Sequence, residues 1–155
     1  TERNILVVPE NFTWNDKWDS ILVATDGSSN SEAAYDEALQ IAQKCSARIA
    51  VISAVKTDVN NEAVAFAQAA VSALERKAQN VVNKFKERAA EMGIHVETFV
   101  RLGEPHQVIT DLATQLGMTA IVMSTHGKTG IKRLLMGSVT QRTIGYAECP
   151  VLVVH

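Results

Sequence analysis

TAIVMSTHGKTGIKRLLMGSVT, residues 119–140, combines a short apolar run with a polar, glycine-containing loop and a helix start. The run Ala120–Met123 has the length and composition of a buried strand, and small polar residues end it at once. Further along, Gly137 and Ser138 open a second segment with helical spacing of apolar residues. The stretch therefore predicts a strand, a loop and a helix in direct succession.

This strand–loop–helix unit has the features of a phosphate-binding site. Glycine lets the backbone approach an anion, and the first N–H groups of a helix have no internal partner and carry partial positive charge. Ser138 and Thr140 add hydroxyl donors, while Lys128, Lys132 and Arg133 make the loop cationic. Taken singly, each feature is as readily a turn, a helix cap or a solvated face. We interpret the combination, directly after a buried strand, as an anion site.

A second polar corner follows the first strong strand signal, the apolar run Ser20–Thr25. Asp26-Gly27-Ser28 turns the chain there, residues 29–31 offer candidate caps, and a helix is predicted from Glu32. Asp26 is interpreted either as a turn or cap residue, or as an acceptor of hydrogen bonds from the sugar or base of a ligand. If the strands before the two corners are neighbours, both corners line one cleft.

The rest of the chain alternates strand and helix signals. Strands are predicted over residues 48–56, 94–100 and 150–154, and helices over residues 61–92 and from Gly103-Glu104-Pro105 onward. This alternation predicts a single-domain α/β fold with an open parallel sheet, helices on both faces and right-handed crossovers. His95 and His106 are expected to face solvent, although the position of His106 near the end of a strand leaves a ligand-adjacent role open for it. Residues 1–19 are interpreted as an N-terminal extension, either an extra edge strand or an arm lying across the domain that begins at residue 20.

Length and composition describe an ordinary globular domain. The 155 residues are 46% hydrophobic and 21% charged, with a formal net charge of −2. This charge gives no general attraction to nucleic acid or to anionic membranes, so any phosphate affinity must be local. Cys45 and Cys149 match no metal or redox spacing. We expect no signal peptide and no membrane span, and therefore a cytoplasmic protein.

From about residue 20 to residue 155 the sequence resembles the universal stress protein family. The resemblance rests on the A-T-D-G-S corner, on H-G-x9-G-S-V-T, in which Gly127 and Gly137 enclose residues 128–136, and on the final C-P-V-L-V-V. It implies a five-stranded sheet in the order 3-2-1-4-5, Rossmann-like and of the adenine nucleotide alpha hydrolase-like type. It also implies a homodimer paired through the last strand, Val151–Val154.

The ATP-binding branch of that family has the motif G-x2-G-x9-G-[ST]. The resemblance implies that Gly127 is the second glycine, that Gly137 begins the phosphate-binding helix, and that Asp26 meets the ribose or base. Ser124 stands where the family pattern has its first glycine, which costs little if the backbone φ is negative. The implied nucleotide-binding residues are Ala24, Thr25, Asp26, Ala54, Met123, Ser124, His126, Gly127, Lys128, Gly137, Ser138, Val139 and Thr140.

We therefore expect a stress-response protein that binds ATP, with Mg²⁺ bridging the phosphates, and that signals through occupancy or dimer state. The sequence contains no visible nucleophile constellation and no base paired with a carboxylate, and His126 is the nearest candidate for a base. Catalytic residues are accordingly not predicted, although slow ATP hydrolysis remains open. The alternatives are a stress protein of the same family that acts by protein interaction without nucleotide, and an enzyme, either an ATPase or a nucleotidyl transferase, that uses the same cleft.

Overall fold

A computed structural model describes residues 3–15, 17–57, 64–127 and 136–155, with residues 64–66 described by their backbone alone. Six strands and four helices lie in these ranges. The strands are β1 (Ile5–Val7), β2 (Ser20–Ala24), β3 (Arg48–Val55), β4 (Val96–Leu102), β5 (Ala120–Ser124) and β6 (Val151–Val154). The helices are α1 (Ser29–Cys45), α2 (Val64–Glu91), α3 (Pro105–Gln115) and α4 (Ser138–Tyr146).

All strands belong to one sheet in the order β1-β6-β5-β2-β3-β4. From β2 to β6 the strands are parallel, and they have the expected order 3-2-1-4-5. The sheet nevertheless has six strands, so the prediction of five was wrong. The additional strand is β1, which pairs antiparallel with the outer edge of β6. Its three aliphatic residues supply backbone donors and acceptors to an edge that a five-stranded sheet would leave open.

Two apolar layers cover the sheet. α1 and α2 pack on one face, where Tyr35 and Phe85 lie in one core cluster with residues of β2, β3 and β5. On the other face Ile109 and Leu112 of α3 pack against the alternate residues of the same strands. Because both faces are covered, β2 and β5 are buried at every position, as their continuous apolar runs predicted.

Aromatic residues hold the segment that links β1 to β2. Phe12 packs against the core on the α3 side and Trp18 against the core on the α1 side. Trp14 lies between them, with ring centroids 6.2 Å from Phe12 and 5.5 Å from Trp18. A turn closed by the Phe12 N–H on the Pro9 carbonyl, at 3.0 Å, brings the chain back from β1. The edge-strand interpretation of the N-terminal segment is therefore the one that the structure shows.

Two local predictions were wrong. α1 begins at Ser29 rather than Glu32, because Ser28 is the N-cap and its hydroxyl accepts the Ser31 N–H. His106, expected in solvent, is only 7% exposed. Its ring lies against the ring of Tyr146, 5.4 Å between centroids, because α3 packs beside α4.

Candidate functional site

A cavity of about 250 Å³ lies at the carboxyl ends of β2 and β5. From β2 the chain proceeds to β3 on one side and later returns to β5 on the other, so the strand order reverses between β2 and β5. Ligands of open parallel sheets bind at such a reversal. The cavity is lined by Ala24, Thr25, Asp26, Ser31, Ile52, Ala54, Pro105, Ile109, Met123, Ser124, Gly127, Gly137, Ser138, Val139 and Thr140.

The corner after β2 is fixed by its own hydrogen bonds. One carboxylate oxygen of Asp26 accepts the Ser28 N–H at 3.0 Å, and the Thr25 hydroxyl accepts the Gly27 N–H at 3.1 Å. The hydroxyl of Ser31 lies 2.9 Å from that of Thr25 and donates to the Ser28 carbonyl at 2.8 Å. Both proposed roles of Asp26 are thus compatible with its position, since it orders the turn and also lines the cavity.

Ser124 ends β5 without backbone strain. Among the described residues, Ser46 is the one non-glycine residue with positive φ, so Ser124 does not need the left-handed conformation that favours glycine. Its hydroxyl donates to the His126 carbonyl at 2.9 Å, and its own carbonyl accepts the Thr140 hydroxyl at 2.9 Å. The second bond ties the first turn of α4 to the end of β5.

The start of α4 is held closely against the chain that leaves β5. The N-cap is Gly137, which has no side chain to accept a hydrogen bond from the first N–H groups of the helix. The Gly137 N–H donates to the Thr125 carbonyl at 2.7 Å, and a Cβ at residue 137 would lie 3.1 Å from that oxygen. That distance is shorter than a Cβ atom usually keeps from an atom it is not bonded to, so glycine eases this close approach. The helix start therefore presents to the cavity N–H groups that its own N-cap residue does not cap.

Gly127 approaches the side chain of Asp26 in the first corner even more closely. A Cβ built at residue 127 would overlap the Asp26 carboxylate. Any larger side chain must therefore displace the carboxylate or the loop, which couples the two corners that the sequence analysis placed in one cleft.

The structure brings together all but two of the residues implied by the resemblance. His126 is not among the lining residues, and its Nδ1 lies 3.1 Å from the Thr125 hydroxyl. Lys128 lies outside the described residues, as do Lys132 and Arg133. The predicted residues that line the cavity are Ala24, Thr25, Asp26, Ala54, Met123, Ser124, Gly127, Gly137, Ser138, Val139 and Thr140.

Four lining residues were missed by the sequence analysis, namely Ser31, Ile52, Pro105 and Ile109. Ile52 was within reach of sequence reasoning, because it is the neighbour of Ala24 in the parallel register. Pro105 and Ile109 belong to α3, which packs against the sheet and beside α4. No local pattern signals that packing.

Charged side chains lie near the rim of the cavity. Glu104, which precedes the lining residue Pro105, has a carboxylate oxygen 3.4 Å from the Lys56 ammonium and another 4.0 Å from the Arg142 guanidinium. Partly exposed pairs of this kind contribute little stability. Within the described ranges, no group of three or more His, Cys, Asp and Glu side chains is arranged to hold a metal ion, and no helix is both long and apolar enough to cross a membrane.

Known proteins share both the sequence and this architecture. The model of the universal stress protein family matches residues 17–155. A universal stress protein of Methanocaldococcus jannaschii is 36% identical over 136 residues, which cover 86% of this chain and 80% of that protein. The universal stress protein YxiE of Bacillus subtilis is 30% identical over 147 residues, covering 89% and 99%. The structure of UspA from Lactobacillus plantarum superimposes with a TM-score of 0.84 at 25% identity, covering 91% of this chain and all of that one. The chain belongs to the universal stress protein family.

Proposed function

We propose that this protein binds ATP in the cavity between β2 and β5 and acts as a nucleotide-dependent regulator in the cytoplasm. In this proposal the protein signals through the occupancy of the site and through the state of a homodimer that is paired through Val151–Val154. ATP is retained rather than turned over. Stress response is the process that family membership suggests.

One observation carries the nucleotide proposal. The start of α4, with glycine at its N-cap, borders a cavity at the point where the strand order reverses. The N–H groups of a first helical turn and the helix dipole favour a phosphate at that place, and the neighbouring Ser138 and Thr140 carry hydroxyl groups. The G-x9-G-S spacing from Gly127 to Ser138 supports the same assignment.

The remaining lining residues suit the other parts of a nucleotide. Ile52, Ile109 and Met123 provide apolar surface for a base. Ala54, which follows Ile52 by two residues in β3, also lines the cavity. Asp26 supplies a carboxylate that can accept a hydrogen bond from a ribose hydroxyl. With one carboxylate among the described lining residues, Mg²⁺ would be held chiefly by phosphate oxygens and water, which is its usual mode of binding to nucleotides.

The same residues give little support to rapid hydrolysis. A general base must reach an attacking water, either directly or through one further water. The ring of His126 lies at the Thr125 hydroxyl and is not part of the cavity lining. We therefore propose a binding protein with slow hydrolysis at most.

The test is calorimetric titration of nucleotide-free protein with ATP and Mg²⁺, preceded by denaturing extraction and chromatography to identify any nucleotide that co-purifies. Gly137→Val should lower ATP affinity at least about 100-fold, because the added side chain meets the Thr125 carbonyl and separates α4 from β5. Gly145→Val is the matched control in the same helix, since a Cβ there has no neighbour within 4 Å. Its affinity should stay at the wild-type value.

Equal ATP affinity in the two variants would place the site elsewhere. If the unaltered protein neither co-purifies with nucleotide nor gives binding heat, the protein acts by interaction without nucleotide. Continued release of phosphate from ATP, at a rate well above that of uncatalysed hydrolysis, would favour the ATPase alternative. Circular dichroism of each variant checks that the fold is retained.

A further inference from the structure

β1 and β6 have almost the same sequence. Residues 5–8 are Ile-Leu-Val-Val and residues 151–154 are Val-Leu-Val-Val, so a single methylene in the first residue separates them. The two strands lie side by side at one edge of the sheet, where they pair antiparallel. A strand of this chain is therefore paired with a near-copy of itself.

The register of the pair is the one that a second molecule would produce. Leu6 lies opposite Leu152, with Ile5 opposite Val153 and Val7 opposite Val151. If β6 paired with β6 of a second copy about a two-fold axis through Leu152, Val151 of one copy would lie opposite Val153 of the other. Ile5, Leu6 and Val7 thus stand where Val151, Leu152 and Val153 of the second copy would stand.

The hydrogen-bond direction along β6 agrees with this substitution. Pro150 and Val154 turn their carbonyls toward β5, where these accept the N–H groups of Ile121 and Thr125. Alternate residues of a strand bond to opposite sides, so Val151 and Val153 direct their N–H and carbonyl groups outward. In β1 the groups that meet them belong to Val7 and Ile5. A second β6 in the same register would use the same two positions.

β1 is held less firmly than the strands inside the sheet. It has three residues, and Ile5 and Leu6 remain 45% and 40% exposed. By contrast, Val151 and Val153 are almost fully buried. An exposed aliphatic edge strand is a surface on which another strand can pair or exchange.

We infer that β1 is an internal substitute for a partner's β6 and competes with a second copy of this chain for the sheet edge. While β1 is docked, the β6 edge is closed and self-association is suppressed. When β1 leaves, β6 pairs with β6 of another molecule in the register described above. This inference rests on the proposed dimerisation through β6, and it makes dimer formation depend on the N-terminal segment.

The test is sedimentation velocity over a concentration series with the full chain. The variant Ile5→Pro/Val7→Pro removes the two N–H groups that β1 directs at β6, so β1 should undock. Glu10→Pro is the control, because residue 10 follows the first residue of the turn closed by Phe12 and Pro9, a position that accepts proline. We expect the wild type and Glu10→Pro to be monomeric at concentrations where the double variant is dimeric. The dimer dissociation constant of the double variant should be at least about tenfold lower than that of the wild type.

A synthetic peptide of residues 3–9, added in excess to the double variant, should restore the monomer by occupying the β6 edge. Should the double variant fail to fold, Leu6→Ala provides a graded substitute that keeps the backbone ladder and removes the contact with Leu152. It should associate more strongly than wild type. Equal association constants in wild type and in the β1 variants, whether all are monomeric or all dimeric, would overturn the inference. ATP titration of the same samples separates this outcome from failure of the nucleotide site, whose cavity lies between β2 and β5 rather than on the outer edge of β6.

Discussion

The hydroxyl of Thr140 helps to hold the end of α4 that is proposed to bind phosphate against the sheet. It is 3% exposed and donates to the Ser124 carbonyl at 2.9 Å. Thr140→Val keeps the shape of the side chain but removes the donor. A carbonyl that loses its donor inside a protein destabilises the fold by about 1–3 kcal/mol. For a domain of this length, that corresponds to a decrease in Tm of about 2–12 °C.

The change should also weaken ATP binding. Val at residue 140 leaves the Ser124 carbonyl to seek another donor, so the first turn of α4 moves relative to the end of β5. The N–H groups proposed to bind phosphate lie in that turn. We expect ATP affinity to fall by about tenfold, equivalent to about 1.4 kcal/mol. Urea denaturation followed by tryptophan fluorescence measures the stability, and calorimetry measures the affinity.

Thr143→Val, one turn further along α4, is the matched control. Thr143 is fully buried, and its hydroxyl donates at 2.8 Å to the Val139 carbonyl within its own helix. That carbonyl also accepts a backbone N–H in the helical pattern, so removal of the hydroxyl should cost under about 1 kcal/mol. ATP affinity should not change. If both variants lost affinity equally, or if Thr140→Val bound ATP normally, the hydroxyl of Thr140 would not position the helix start.

Two further predictions concern buried ionisable groups. Burial raises the pKa of Tyr35 to about 12, so the folded state holds this proton more tightly than the unfolded chain and stability should fall as pH rises from 10 to 12. Tyr35→Phe should abolish this loss of stability with pH, which amounts to about 3 kcal/mol at most. At neutral pH it should cost about 1 kcal/mol for the lost 2.6 Å bond to the Phe85 carbonyl. Urea denaturation from neutral pH to pH 12 tests both effects, and the same pH dependence in wild type and variant would show that Tyr35 is not its source. Burial likewise raises the pKa of Cys149 to about 11, whereas Cys45 is exposed, so a thiol reagent at pH 8 should label Cys45 at least about tenfold faster, as peptide mapping would show.

The parallel part of the fold was predictable because its signals are local. β2 and β5 are continuous apolar runs, and small polar residues follow each of them and mark the end of the strand. The order of the strands followed from the resemblance, since alternation alone does not fix which strand lies beside which. Most cavity residues could be named because they lie at strand ends or helix starts, where sequence position and spatial position coincide.

What could not be predicted depends on packing between distant segments. His106 is a polar residue in the first turn of a helix, yet it is buried and its ring lies against that of Tyr146 in α4. Pro105 and Ile109 line the cavity because α3 packs on the sheet and beside α4. β1 reads as an isolated apolar run stopped by Pro9, and its partner lies more than 140 residues away in the sequence.

Ser124 shows why a departure from a motif must be judged by backbone conformation rather than by residue identity. Glycine is required where φ is positive or where a Cβ would collide with a neighbour. At residue 137 a Cβ would crowd the backbone carbonyl of Thr125, and at residue 127 it would overlap the Asp26 carboxylate, which would have to move. Ser124 does not have positive φ, and its hydroxyl is bonded to the chain two residues ahead. The site should therefore tolerate Ser124, whereas large side chains at residues 127 and 137 would have to displace their neighbours.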